Sequence, residues 1–207
     1  MEEELYIQKH VVLERRTLLL DGVVLCKGTM GLPVSDFFQE LYRFLEINYQ
    51  KFFKMDMLSK MLFLATEALL KGSGLSSTEA NSNVAVVLYN SHSSFYTDKQ
   101  FQETIRSDAF FPSPSLFVYT LPNMALGEVA IRNKFMGENC TFITPNFDQE
   151  RCVEYVSAIM KGTYSHVICG WFDLLDDREE VELFIVSKEK SSKIFNVKNL
   201  IKPEYYV

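Results

Sequence analysis

The 207-residue sequence predicts an α/β fold, in which a mixed five-stranded sheet is layered with helices in a single domain spanning residues 1–207. Three observations predict this class. The apolar, β-branched run at residues 84–88 is typical of a strand buried on both faces of a sheet. Segments with helical periodicity precede and follow that run. Finally, no repeat, low-complexity tract or change in composition divides the chain.

The N-terminal third is predicted to form paired strands followed by two helices. Apolar stretches at residues 5–13 and 18–25 indicate strands, and the Asp-Gly pair at 21–22 is typical of a hairpin turn. A helix is predicted to begin near Ser35, because serine is a favourable N-cap. A second helix, over about residues 55–71, is expected to be mostly buried, because few of its residues form a polar face.

The remainder of the chain alternates helices with strands. The predicted helices cover residues 98–107, 115–135 with Pro122 as the first residue of a new helix, and 148–161. The predicted strands cover residues 140–144, 166–170 and 181–186. We interpret the acidic run at 176–180 as a solvated turn.

Composition and charge exclude several classes of protein. With 47% hydrophobic and 23% charged residues, the chain is neither disordered nor collagen-like. A net charge of −6 gives no general electrostatic reason to bind nucleic acid. The N-terminus lacks a secretory signal, and no segment reaches the roughly 18 apolar residues of a membrane span. We therefore expect a cytoplasmic protein with no membrane span.

The cysteines and histidines give no metal pattern. The four cysteines are scattered without a CxxC pair, which predicts neither a zinc site nor a disulfide framework. Cys152, on an apolar helical face, and Cys169, in an apolar strand, are interpreted as core residues. His10 is expected in an edge strand and His166 at the start of a strand, neither with a ligand partner at metal spacing. No metal site and no cofactor are predicted.

His92 lies between serines, in the segment 91–94 that follows the buried strand. Loops at the carboxyl ends of such strands often carry ligand sites, so a serine–histidine hydrolase pair is one interpretation. The segment lacks the G-x-S-x-G elbow that would support this interpretation. We therefore favour a solvated or locally hydrogen-bonded histidine.

An ordered series of short motifs runs from about residue 55 to residue 172. Its members are Lys54-Met55-Asp56 at the start of a buried helix, the strand 84–88, Leu121-Pro122-Asn123, the stretch from Gly127 to Gly137, Thr144 and Gly170. Together they resemble the N-terminal half of the β-ketoacyl synthases, in the thiolase-like superfamily. The resemblance implies that the predicted fold is one thiolase-like half.

The departures from this family concern its chemistry. The family nucleophile is a cysteine nine positions after the matching glycine, and that position here is Asn146, whose amide cannot form an acyl thioester. Glu138 replaces a family proline, and Trp171 replaces a glycine. We expect the chain to stop before the half that carries the two catalytic histidines and the lysine. Because Asn146 precedes a predicted helix, we favour a helix-capping role for it.

The resemblance therefore implies a catalytically inactive, half-length ketosynthase-like subunit. Such a subunit is similar to the chain-length-factor partners that shape the acyl tunnel of a full ketosynthase in fatty-acid or polyketide elongation, of aryl-polyene or pigment type. In that family the subunits dimerise through the strand ahead of the nucleophile position. The matching residues here are Cys140, Thr141, Phe142, Ile143 and Thr144. A homodimer or a heterodimer with a full-length ketosynthase is expected, with an acyl carrier protein as a further candidate partner.

Two alternatives stay open. In the first, the chain is an independent acyl-thioester hydrolase or transferase that uses Cys152, or the loop of Ser91, His92, Ser93 and Ser94. In the second, the chain is a small-molecule binding protein that has the same fold but catalyses no reaction.

Overall fold

A computed structural model describes residues 4–29, 31–76, 79–105 and 111–200. The strands are β1 (Tyr6–Glu14), β2 (Thr17–Leu20), β3 (Val23–Lys27), β4 (Val84–Asn90), β5 (Asn139–Ile143), β6 (His166–Leu175), β7 (Arg178–Ser187) and β8 (Lys193–Ile194). The helices are α1 (Val34–Phe44), α2 (Met57–Leu70), α3 (Phe95–Glu103), α4 (Pro114–Val118), α5 (Met124–Asn133) and α6 (Gln149–Ile159). Short 3-10 helices cover Gln50–Lys54 and Val197–Leu200.

The strands form one mixed sheet in the order β3-β2-β1-β7-β6-β4-β5, with β8 paired to β1. β4 runs parallel to both β5 and β6, whereas β7 is antiparallel to β6 and β1. The predicted α/β class with a mixed sheet is confirmed. The sheet has eight strands rather than five, because the β2–β3 hairpin and β8 extend it beyond β1.

Helices cover both faces of the sheet. On one face α2 packs against α1, α5 and the sheet, and on the other face α6 packs against β6. The predicted burial of α2 and of the central strand is confirmed, since all seven residues of β4 are buried. The backbone amide of Ser59 donates to the Asp56 carboxylate at 3.0 Å, which caps α2. The carboxyl ends of β4, β5 and β6 consequently stay fixed between two packed layers.

Several predicted helix starts are shifted. α1 begins at Val34 after Pro33, so the predicted Ser35 cap is wrong; the proline holds the preceding backbone extended. α5 begins at Met124 after Asn123, rather than at Pro122. The helix predicted over 98–107 is α3, and residues 106 and 107 lie outside the described residues.

Two predictions about charged positions are wrong. His10 lies in an interior strand, because β1 pairs with both β2 and β7, and its Nε2 contacts the buried Glu182 carboxylate at 3.0 Å. The acidic run is not a solvated turn throughout, because β7 begins at Arg178. Glu179 is buried and forms an ion pair with Arg16, which also pairs with Asp177. Burial of the Arg16 and Glu179 charges is tolerated because the two side chains, distant in sequence, neutralise each other.

Candidate functional site

The carboxyl ends of the three parallel strands β4, β5 and β6 meet at one edge of the sheet. The loops after β4 and β5 carry the segment 91–94 and Asn146, and Asp173 lies within β6 near its carboxyl end. The β4 and β5 loops are tied together, since the Thr144 amide donates to the Asn90 carbonyl at 2.9 Å. The topology therefore brings the predicted nucleophile position and the predicted histidine loop to the same edge, where ligands of parallel α/β sheets bind.

Asn146 is exposed and does not cap the following helix. α6 begins at Gln149, and its N-cap is Asp148, whose carboxylate accepts from the Arg151 amide at 2.9 Å. The capping prediction for Asn146 is therefore wrong. Phe147 accounts for the displacement: its ring packs 5.6 Å from that of Tyr89, and the helix begins two residues later, at Gln149.

The candidate nucleophile Cys152 is completely buried, as is Cys169, in agreement with the core interpretation of both residues. The pKa of Cys169 lies well above its usual value, because burial and the adjacent Cys152 both disfavour its thiolate. A reactive thiol needs access and a stabilised anion. The packing around Cys152 gives it no access to a thioester, and the structure does not support the cysteine-based alternative.

The rate of alkylation should distinguish the partly exposed cysteines from the buried ones. Cys26 and Cys140 are partly exposed, and burial raises the pKa of each thiol, with nearby Glu40 and Glu138 adding to the effect. We expect iodoacetamide to label these two slowly at pH 7, with the rate rising about tenfold per pH unit because the thiolate reacts. Cys152 and Cys169 should react only after unfolding. Rapid labelling of Cys152 in the native protein, located by peptide mass spectrometry, would contradict this assignment.

His92 is held by Asp173, a residue that sequence reasoning missed. Its Nδ1 lies 2.6 Å from Asp173 Oδ2, and its backbone amide donates to Oδ1 at 2.9 Å. The Ser91 amide also donates to Oδ1, at 3.2 Å. The contact joins the end of β4 to β6, so the predicted local hydrogen bonding of His92 is wrong, whereas the predicted exposure to solvent holds in part, since the side chain is 39% exposed. Polar residues directly after two apolar strands were the signal that could have identified this pair.

The side chains of Asn90 and Ser94 help to fix this loop. Asn90, which is fully buried, donates from Nδ2 to the Phe172 carbonyl at 2.6 Å, and its Oδ1 accepts from the Ser93 amide. The Ser94 hydroxyl donates to the Thr120 carbonyl at 2.8 Å. The Ser94 hydroxyl is therefore committed to the fold, whereas the His92 side chain is 39% exposed.

Among the strands of the described residues, β5 lies at one edge of the sheet and pairs with β4 alone. The Val86 amide donates to the Glu138 carbonyl, and the Thr144 amide donates to Asn90, so the even-numbered residues of this stretch face β4. The amides and carbonyls of Asn139, Thr141 and Ile143 consequently point outward. Ile143 is 49% exposed on this open edge. A strand edge of this kind is a template for pairing with another chain.

Exposed apolar side chains are frequent in the segment that leads to β5. Seven large apolar residues between 111 and 143 are exposed: Phe111, Phe117, Val118, Leu121, Ile131, Met136 and Ile143. Such a concentration is typical of protein interaction surfaces.

Aromatic rings pack directly behind β5. The Phe142 ring lies 5.1 Å from Tyr89 and 5.2 Å from Tyr155, and Phe147 lies 6.3 Å from Trp171. These residues form the β5 aromatic cluster: Tyr89, Phe142, Phe147, Tyr155 and Trp171. The Tyr155 hydroxyl donates to the Glu138 carboxylate, and this hydrogen bond together with burial raises the pKa of Tyr155.

Within the described ranges, no three His, Cys, Asp or Glu side chains are grouped as a metal would require. None of the helices in those ranges combines the length and apolar character needed to cross a bilayer.

The family comparison matches residues 26–187 to the β-ketoacyl synthase N-terminal domain. This match covers more than half of the chain. Among curated proteins, none matches the sequence.

Solved structures share the fold at low sequence identity. The ishigamide ketosynthase/chain length factor is similar with a TM-score of 0.69 and 16% identity, over 92% of this chain and 64% of that chain. The ketosynthase (ApeO) in complex with its chain length factor (ApeC) from Xenorhabdus doucetiae gives 0.60 and 12%, over 91% and 80%. The type II acyl-carrier protein–ketosynthase complex AntDE:AntF gives 0.61 and 14%, over 90% and 63%. The chain thus spans less than two thirds of the first and third of these chains.

Proposed function

This chain belongs to the β-ketoacyl synthase family through its N-terminal domain, and we propose that it is a chain-length-factor-like subunit that pairs with a full-length ketosynthase. One feature carries the proposal: the chain keeps the family fold, but the position that the resemblance assigns to the nucleophile holds Asn146. An amide side chain forms no acyl intermediate, so condensation chemistry has to come from the partner. The two ketosynthase–chain length factor structures with the same fold support this assignment.

The open edge of β5 is the proposed contact. The outward-facing groups of Asn139, Thr141 and Ile143 would pair with the matching strand of the ketosynthase and extend the sheet across the interface. The exposed apolar side chains between residues 111 and 143 would be covered by the same partner. A heterodimer is favoured over a homodimer, because two copies of this chain would bring together two sites without a nucleophile.

The proposed role in elongation is to limit the acyl tunnel of the partner. The β5 aromatic cluster lies immediately behind the contact strand, and Phe142 bridges the edge to the buried ring of Tyr89. Large rings at that depth give a fixed stop to a growing acyl chain. The substrates would be acyl thioesters of fatty-acid or polyketide type, delivered by an acyl carrier protein. That carrier would dock on the ketosynthase, since this chain carries a charge of −6. The expected cytoplasmic location and the domain limits 1–207 stay predictions.

Association with a ketosynthase is the test of this proposal. The chain should co-purify with a co-expressed full-length ketosynthase, and light scattering should give the mass of a 1:1 complex. A chain that stays monomeric, or that forms a homodimer while the ketosynthase is present, would contradict the proposal.

Acyl labelling tests the missing chemistry. When the complex is incubated with an acyl thioester, intact-mass measurement should show acyl transfer to the ketosynthase subunit and no adduct on this chain. The ketosynthase with its nucleophilic cysteine replaced by alanine is the control, and it should leave both subunits unmodified. A stable acyl adduct on this chain would rule out the inactive-subunit assignment.

A further inference from the structure

We propose that His92 and Asp173 form a general-base pair that hydrolyses acyl thioesters with water as the nucleophile. The inference rests on the proposed function for its substrate class, because acyl thioesters are the compounds that reach this edge of the sheet. It goes beyond that function in giving the chain a reaction of its own.

The Asp173 carboxylate orients the imidazole. His92 Nδ1 lies 2.6 Å from Asp173 Oδ2, and in the tautomer with its proton on Nδ1 the ring carries its free electron pair on Nε2. Asp173 is itself held by the amides of Ser91 and His92 and is 7% exposed. A buried carboxylate that orients an imidazole is the arrangement by which hydrolases prepare a general base.

The position of the pair gives it access to substrate. The loops that carry His92 and Asn146 leave neighbouring parallel strands and are joined by the bond from the Thr144 amide to Asn90. A thioester bound near Asn146 therefore lies at the same edge as His92. Helix α3, which follows the His92 loop in the chain, carries a shallow surface groove of about 530 Å³ lined by Phe95, Asp98, Lys99, Gln102 and Glu103. The half-exposed Phe95 ring offers an apolar contact to a short acyl chain.

Water is the nucleophile that the structure favours. Cys152 is buried and the Ser94 hydroxyl is engaged by the Thr120 carbonyl, whereas His92 is open to solvent. Nε2 would take one proton from water as the water oxygen bonds to the thioester carbonyl carbon. The adduct would then break its carbon–sulfur bond, and the departing thiolate would take the proton from Nε2. The products are a carboxylic acid and a thiol, and no oxidant or further reactant is required.

The test uses the purified chain alone with butanoyl-N-acetylcysteamine, and butanoic acid is measured by mass spectrometry. The wild-type protein should release acid above the buffer rate, and His92→Ala should lower the rate about 100-fold. Added imidazole should restore part of the activity of His92→Ala. His166→Ala is the matched control and should keep full activity, because His166 lies at the opposite end of β6.

Asp173→Asn tests the positioning role, since the amide oxygen can still accept from the two loop amides. We expect kcat to fall and KM to stay unchanged, with the circular dichroism spectrum of the wild type. Absence of hydrolysis above buffer, full activity in His92→Ala, or an acyl-serine adduct would each overturn the proposal. Because the partner is not in the assay, these results are independent of whether the chain binds a ketosynthase.

Discussion

Replacing Gly170 by alanine is expected to remove a substantial part of the stability of the fold. An added Cβ would lie 2.0 Å from the Glu182 carbonyl oxygen in the neighbouring strand, and the glycine has φ +144°, which side-chain-bearing residues rarely adopt. Overpacking and backbone strain each cost about 1–3 kcal/mol, against a typical stability of about 5–15 kcal/mol. Urea unfolding followed by the fluorescence of the single tryptophan, Trp171, measures the loss.

Gly127→Ala is the matched control for this substitution. Gly127 lies within α5, and an added Cβ there meets nothing within 4 Å. Alanine favours a helix over glycine by about 0.8–1.0 kcal/mol, so this variant should be slightly more stable than the wild type. A Gly170→Ala protein with the wild-type urea midpoint would show that β6 and β7 do not approach as described.

Replacing Ile143 by lysine is expected to weaken association with the ketosynthase strongly while the chain stays folded. Ile143 is 49% exposed on the open edge of β5, so the change costs little in the free subunit. In the complex it would bury an unpaired ammonium group and cost at least about 2 kcal/mol, or ~30-fold in affinity. Titration with the purified ketosynthase by calorimetry measures the loss.

Val23→Lys provides the comparison on the opposite edge of the sheet. Val23 is 63% exposed on β3, which is also an outer strand. This variant should bind the ketosynthase with wild-type affinity. Equal weakening by both lysines, or weakening by Val23→Lys alone, would argue against β5 as the contact.

The sequence predicts the fold best where burial and periodicity agree. Local apolar patterns are enough to predict four elements: helix α2, strand β4, strand β5 and helix α6. Two glycines that belong to the family-like motifs, Gly137 and Gly170, are also explained by packing. A Cβ at either position would meet the backbone of a sheet strand. These positions record close packing of the sheet rather than chemistry.

Charged residues inside strands explain what the sequence could not predict. Glu179 falls in the predicted acidic turn and Glu182 in the predicted strand 181–186, and both are buried. Their partners, Arg16 and His10, lie 163 and 172 positions away. Asp173 and His92 are 81 positions apart, which is why the pair at the candidate site was missed. Only the completed sheet brings such groups within hydrogen-bond distance, and without their partners their burial would be strongly unfavourable.

Hydrogen exchange of β5 in the free and bound chain tests the central claim most directly. If β5 pairs with a ketosynthase strand, the outward amides of Asn139, Thr141 and Ile143 lose their access to water. Peptides covering residues 139–143 should then exchange much more slowly in the complex, while peptides covering β3 exchange at the same rate in both states. Unchanged exchange in β5 within a stable complex would contradict the account.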